Sequence, residues 1–209
     1  MEYHNFYNFD YCDNCDNSDK YELPINKIIF HNFFKRELFC NSINLHIDLS
    51  KKELLKYEAS DKIFLPKSAL CTFASYSKDN IYLLKIFNPK SFEYAFVGVA
   101  DFSAPDRMTF IPNWLMDYIS IKNGDNIYVD AISVPKITYA QFKMPIELKE
   151  INIDIKSVLE FSLRNHCLLF LGKKIQAKIF EKIWEFEVIK LNPINVGNIV
   201  NLDVQLDIV

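Results

Sequence analysis

A chain of 209 residues, half of them hydrophobic, has room for one large or two small domains with a real core. Its 24 basic and 27 acidic side chains leave a net charge of −3, which argues against a nucleic-acid partner bound through phosphate neutralisation, and four glycines all but exclude a glycine-rich phosphate loop. Five cysteines, at positions 12, 15, 40, 71 and 167, are an odd and scattered set that fits a reducing compartment better than a disulfide framework.

Residues 1–20 carry Glu2, Asp10, Asp13, Asp16 and Asp19 against Lys20, with no basic or apolar leader pattern and no arginine. They are expected to form a disordered acidic tail. Cys12 and Cys15 make a lone C-x-x-C, whereas a zinc site needs about four ligands, and His4, His31 and Cys40 are irregularly spaced. A solvated tail is the better reading. No uncharged run approaches the length of a membrane span.

Leu23 to Ile47 reads as one or two strands. Ser50 to Glu58 reads as a short helix opened by a capping box, Ser50 with Glu53 three residues on. Ile63–Leu65 is a strand, Pro66–Tyr76 a helix, and Ile81–Phe87 and Tyr94–Phe102 are strands, with Gly98 allowing a bulge or a close backbone approach. A turn is expected over Asp101–Asp106. Met108 to Pro135 then organises the chain: an apolar run enters Pro112, a residue suited to the first helical turn. Trp114, Leu115, Tyr118 and Ile119 follow at helical spacing, Asn123-Gly124-Asp125 stops the helix, and Ile127, Val129 and Ala131 alternate as in a strand. The same strand–Pro–helix opening occurs at Pro66, 46 residues earlier, which suggests a pseudo-symmetric β-barrel.

Ile137–Phe142 is expected to be the last barrel strand, and Lys143-Met144-Pro145 breaks the pattern. A helix over Ile155–Leu163 capped by Asp154, an apolar run at Cys167–Leu171, a turn at Gly172-Lys173, a hairpin of Ile175–Phe180 with Trp184–Leu191, and a final strand in Val200–Val209 make a smaller second domain.

Chemistry is harder to find. His166 and Cys167 are adjacent, but neighbours in a strand point apart, so His166 is expected to cap the preceding helix or lie exposed rather than serve as a base. Asp-Thr/Ser-Gly loops, H-E-x-x-H, Walker A and G-x-G-x-x-G are absent. That favours a binding module. Tyr139 and Phe142, at the expected junction of the domains, are candidate anchors for a protein partner, with core packing as the alternative, and Arg164 and Asn165 lie beside the same junction.

One ordered set of motifs is specific. Phe30-His31-Asn32-Phe33-Phe34 with Cys40 and Ser42 opens it, and Asp61-Lys62-Ile63-Phe64-Leu65-Pro66-Lys67-Ser68-Ala69-Leu70 follows, close to G-[GD]-K-I-x-[LM]-P-x-S-A-L. Next come Gly98-Val99-Ala100-Asp101-Phe102, Ile111-Pro112-Asn113-Trp114-Leu115-Met116 and Thr138-Tyr139-Ala140-Gln141-Phe142. Val158-Leu159-Glu160-Phe161-Ser162-Leu163-Arg164-Asn165, Gly172 and Trp184-Glu185-Phe186-Glu187-Val188 complete it. Over about residues 30–192 the chain resembles the amino-terminal half of the ubiquitin fusion degradation protein family, the substrate adaptors of the valosin-containing AAA ATPase.

The resemblance implies a double-psi β-barrel followed by a smaller α/β subdomain, here residues 21–143 and 144–209. It implies binding of ubiquitin or polyubiquitin on substrates that the ATPase unfolds, with no catalysis and no cofactor. A cytoplasmic location is expected, at the ER membrane through partners, and a plastid-import relative of the family is the alternative, with a double-psi barrel enzyme as the reading from another class. Two departures stand out. Ser60 replaces the family's glycine before the Asp-Lys pair. The family's contacts with the ATPase and with the nuclear-protein-localisation adaptor lie in a tail beyond the matched region, so residues 1–209 are expected to bind the ATPase weakly.

Overall fold

The computed structural model describes residues 28–75 and 81–209. The acidic tail, the Cys12–Cys15 pair and the start of the strand expected at Leu23 lie outside the described residues. Strands β1 (Ile29–Ser42), β2 (Lys62–Pro66), β3 (Leu83–Phe87), β4 (Tyr94–Ala104), β5 (Met108–Ile111) and β6 (Asn126–Ser133) pair in the order β1-β5-β2-β4-β3-β6 and close into a ring. Alternation explains the closure: Ile127, Val129 and Ala131 of β6 point inward with Leu84 and Ile86 of β3 and Ile63 and Leu65 of β2, all buried in one apolar core.

The ring carries the internal repeat. β1 runs parallel to β5, and β2 parallel to β4. The pairs β1–β6, β3–β4, β3–β6 and β2–β5 are antiparallel. Exchanging β1 with β4, β2 with β5 and β3 with β6 converts this pairing pattern into itself. The helices obey the same exchange: α2 (Lys67–Ala74) follows β2 and α3 (Asn113–Tyr118) follows β5. Pro66 (φ −65°, ψ 148°) and Pro112 (φ −57°, ψ 145°) hold nearly one conformation. Both prolines are N-caps with extended ψ rather than first-turn residues, because each also finishes the apolar strand run before it. A third helix, α1 (Lys51–Glu58), opens on the expected capping box, with Ser50 and Glu53 satisfying each other's backbone N–H.

Two expectations change within the ring. β4 runs on to Ala104, so the turn is confined to Pro105–Arg107, with Arg107 in the left-handed region at φ 65°. Ser60 needs no glycine geometry: its hydroxyl donates to the Tyr57 carbonyl (2.7 Å) and accepts from Lys62 N–H (3.2 Å), closing the turn after α1.

The strand expected to finish the barrel belongs elsewhere. β7 (Tyr139–Lys143) is an interior strand of a second sheet, ordered β12-β7-β10-β9 with β9 (Lys174–Ile179), β10 (Lys182–Asn192) and β12 (Gln205–Ile208). The ring is already closed by β1–β6 pairing, which leaves β7 no open edge to join. α4 (Ile155–Leu163), capped by Asp154 as expected, packs Leu159 and Leu163 onto this sheet together with Phe142, Ile175 and Phe186. A short pair, β8 (Leu168–Phe170) with β11 (Val196–Asn198), lies between sheet and ring. β11, unforeseen in the sequence, is three residues long. Among the described residues no helix is long and apolar enough to cross a membrane.

Candidate functional site

The ring and the second sheet meet along a seam whose apolar part joins Leu83, Phe96 and Ile132 of the ring to Leu168, Phe170 and Val196 of the β8–β11 pair. This accounts for Ile132, which breaks the in–out alternation of β6 yet is buried. At Gly98 on β4 an added Cβ would lie 2.8 Å from Cys167 Cβ and closer still to its sulfur. The backbone approach expected at Gly98 is made by the second domain.

A buried polar lock sits beside that contact. Asp61, just before β2, has no solvent exposure. Its Oδ1 accepts from Cys167 N–H (2.8 Å) and its Oδ2 from Leu168 N–H (3.0 Å) and Lys173 Nζ (2.7 Å). Lys173, equally buried, also donates to the Leu168 carbonyl (2.6 Å). Burial alone would raise the Asp61 carboxyl, but the Lys173 ammonium beside it outweighs that and holds it well below the usual carboxylate range. Burial, with the Asp61 charge behind it, pushes the Cys167 thiol up to about 12, so this cysteine is not a nucleophile.

His166 is neither exposed nor a helix cap. It is 5 % exposed, its Nδ1 is 3.8 Å from Asp61 Oδ2, beyond hydrogen-bond reach, and neither ring nitrogen meets a hydrogen-bond partner among the described residues. Burial and the Lys173 charge lower its pKa, so the ring is neutral at pH 7.

His166 lines two clefts. The α3 cleft, about 390 Å³, is walled by Trp114, Tyr118 and Phe170 and edged by Asp117, Lys174 and Glu185. The α4 cleft has a floor that includes Leu163, Leu169 and Leu202, with Glu160, Asp203, Lys62 and Arg164 around it. The structure thus separates the four residues singled out in the sequence. Arg164 is exposed at the α4 cleft, 6.0 Å over the ring of the exposed Phe161, and Asn165 is the half-buried residue after it. Tyr139 is half-buried on β7 and its hydroxyl donates to Asp207 (2.8 Å). Phe142 is wholly buried and cannot be an exposed anchor, because its inward position on an interior strand places it in the core of the second sheet.

Residues 34–135 match the family model described as ubiquitin fusion degradation protein UFD1, N-terminal subdomain 1. The match ends two residues after β6, where the ring ends. A Caenorhabditis elegans ubiquitin fusion degradation protein 1 homolog is 35% identical over 147 residues, covering 70% of this chain and 43% of the relative. The chain belongs to the ubiquitin fusion degradation protein family. The human ubiquitin recognition factor in ER-associated degradation protein 1 is 27% identical over 188 residues, 90% of this chain and 60% of that protein. The Saccharomyces cerevisiae ubiquitin fusion degradation protein 1 is 25% identical over 165 residues, 78% of this chain and 44% of the relative. The chain therefore spans roughly half the length of these family members. Sequence reasoning had the family's Asp61 in hand but not its partners, which lie more than 100 residues away.

Proposed function

We propose that this chain is a non-enzymatic adaptor that binds ubiquitin chains on substrates and presents them to the valosin-containing AAA ATPase. The family's motifs carry this reading: they run in order through the ring and the second sheet, and relatives matching them are named ubiquitin recognition factors. The two-fold pairing of the ring, with a helix after each equivalent strand, is in keeping with a double-psi barrel.

Ubiquitin presents a small apolar patch with basic neighbours, so a receptor suits it by offering apolar residues rimmed by acids. The α4 cleft supplies the apolar part of that make-up, with a leucine floor and Phe161 exposed beside it, and its rim carries Glu160 and Asp203 together with Lys62 and Arg164. Arg164 lines this cleft, Asn165 follows it in the chain, and Tyr139 with Asp207 lies on the strands β7 and β12. Each ubiquitin is held with modest affinity, and several sites along a chain raise the total. The test is a calorimetric titration of the 209-residue protein with ubiquitin chains of increasing length. Affinity that rises with chain length supports the adaptor, whereas no binding of any linkage near millimolar concentration overturns it.

A further inference from the structure

We propose that the tip of the β9–β10 hairpin is a membrane-docking element, in which Phe180 and Ile183 enter the interface of a lipid bilayer and Lys178 and Lys182 meet its phosphates. The tip shares no residue with the α4 cleft, and its role does not rest on ubiquitin binding there.

The backbone comes first. Pairing of Lys182 with Ile179 leaves Phe180 and Glu181 as a two-residue turn, with φ 48° and 66°. Two positive φ values match the twist of the strands and suit Asn-Gly, whereas a bulky side chain is strained there. Packing does not compensate. Phe180 is 75% exposed, lines neither cleft, and has no ring or cation contact among the described residues. A strained residue that the fold does not need is kept for function.

The neighbours select what the tip enters. Residues paired across the ladder, or two apart on a strand, share a face of the ribbon. One face of the tip therefore carries Ile183, 61% exposed, with Lys178 opposite it. The other carries the half-buried Trp184 with Lys182, whose ammonium is 3.8 Å over the indole ring. Each face offers one apolar residue and one cation, with Phe180 at the apex between them. A protein partner covering one face would leave the other exposed. A bilayer entered end-on takes both, because aromatic rings settle at headgroup level and lysine stems lie along apolar surface while their ammonium groups reach the phosphates.

Charge agrees with that occupant. Among residues 178–183 Glu181 is the one acid, and Lys178 neutralises it (2.6 Å), while Lys182 has no carboxylate partner among the described residues. Further down the ribbon Glu185 is matched by Lys174 (3.0 Å), and Glu187 lies across from the same lysine. The unmatched charge at the apex is positive, the sign that lipid phosphates attract.

The experiment sediments the full 209-residue chain with vesicles of phosphatidylcholine mixed with phosphatidylserine, and with vesicles of phosphatidylcholine alone. Binding to both is expected, tighter to the mixed vesicles. A double variant, Phe180→Asn with Glu181→Gly, should partition about ten-fold less onto either vesicle, the loss of one aromatic side chain from the interface. The turn suits the new pair, so an unfolding midpoint at or above that of the parent shows that the fold is intact. The double variant also lacks the acid at the apex, which by charge alone would strengthen binding. Lys182→Gln should weaken binding to the mixed vesicles about five-fold, with less effect on phosphatidylcholine. No sedimentation with either vesicle, equal partition of the double variant, or equal binding of Lys182→Gln to the mixed vesicles overturns the proposal. So does a dimer of the chain, seen by sedimentation velocity without lipid, that the double variant no longer forms, because the tip is then an interface between copies. No ubiquitin is present in these measurements, so their failure is distinct from failure of the ubiquitin reading.

Discussion

The interior of the ring and the seam beside it are built on opposite physics. The ring holds a continuous apolar core in which Phe34, Ile63, Leu84, Leu115 and Val129 lie within one cluster, drawn inward by side-chain alternation. The seam surrounds a carboxylate, an ammonium and an unpartnered imidazole with a thinner apolar shell. Apolar packing tolerates small misfits of register. A buried ion pair does not, because each charge is costly without its partner. The ring therefore supplies bulk stability, and the lock fixes how the second domain sits on it.

The largest effect comes from breaking the lock. Asp61→Ala leaves the Lys173 ammonium buried without its counter-charge and should cost about 3–5 kcal/mol. Leu115→Ala, a truncation in the ring core, should cost about 2–5 kcal/mol. Denaturant midpoints measure both, and amide exchange tells them apart. In Asp61→Ala the Cys167 and Leu168 amides should exchange faster while β6 amides stay protected. Equal loss of protection in β6 would show that ring and seam open as one unit.

Acid should act in the same place. The Asp61 pKa is depressed in the folded state, so its contribution is complete above the unfolded value of about 3.9 and is lost as pH falls further. The His166 pKa is also lowered, so below about 6.5 the unfolded state takes up the proton first and folding is disfavoured. Both signs agree. Seam amides should lose protection in two steps on acidification, the first below about pH 6.5 and the second below about pH 3.9, with the ring lagging behind. Seam protection that is flat from pH 7 to pH 3 contradicts this.

Steric pressure is a milder probe. Gly98→Ala brings a methyl group against Cys167, an overpacking that costs about 1–3 kcal/mol. Cys167 reacts with a thiol reagent only when the seam opens, so faster labelling of Cys167 in this variant, followed by mass spectrometry, locates the damage at the seam. The smallest effect is a control remote from both regions. The β9–β10 turn places Phe180 (φ 48°) and Glu181 (φ 66°) in the left-handed region, where Asn-Gly is favoured, with Phe180 exposed. Replacing the pair by Asn-Gly should raise the midpoint by the equivalent of about 1–2 kcal/mol and leave seam exchange unchanged.

What the sequence disclosed follows from the same division. The capping box at Ser50, the Asp154 cap, the α3 core positions Leu115 and Ile119 and the twin Pro66 and Pro112 units are local patterns, and local patterns are legible. Trp114 was legible in part: it packs on the core edge, but its indole N–H reaches the Ser60 carbonyl (3.0 Å). Membership of β7 in the second sheet was not legible, since an alternating strand is compatible with either sheet until ring closure decides. The lock was hidden for the same reason. Asp61 and Lys173 are 112 positions apart, and His166 looks like any polar residue after a helix. The glycine at 98, in a strand that otherwise reads as buried, was the one signal that something presses against β4.

That pressure has a consequence for modularity. The groups that meet at Asp61 lie more than 100 positions from it in the chain, and the ring face beneath β8 is apolar at Leu83, Phe96 and Ile132. A fragment cut at Pro135 would retain every ring strand yet expose that face and strand the carboxylate beside it. The subdomain that sequence comparison delimits at residues 34–135 is thus a unit of descent but not of assembly. Exchange between family members preserves the seam only when Asp61, Gly98, Cys167 and Lys173 travel together.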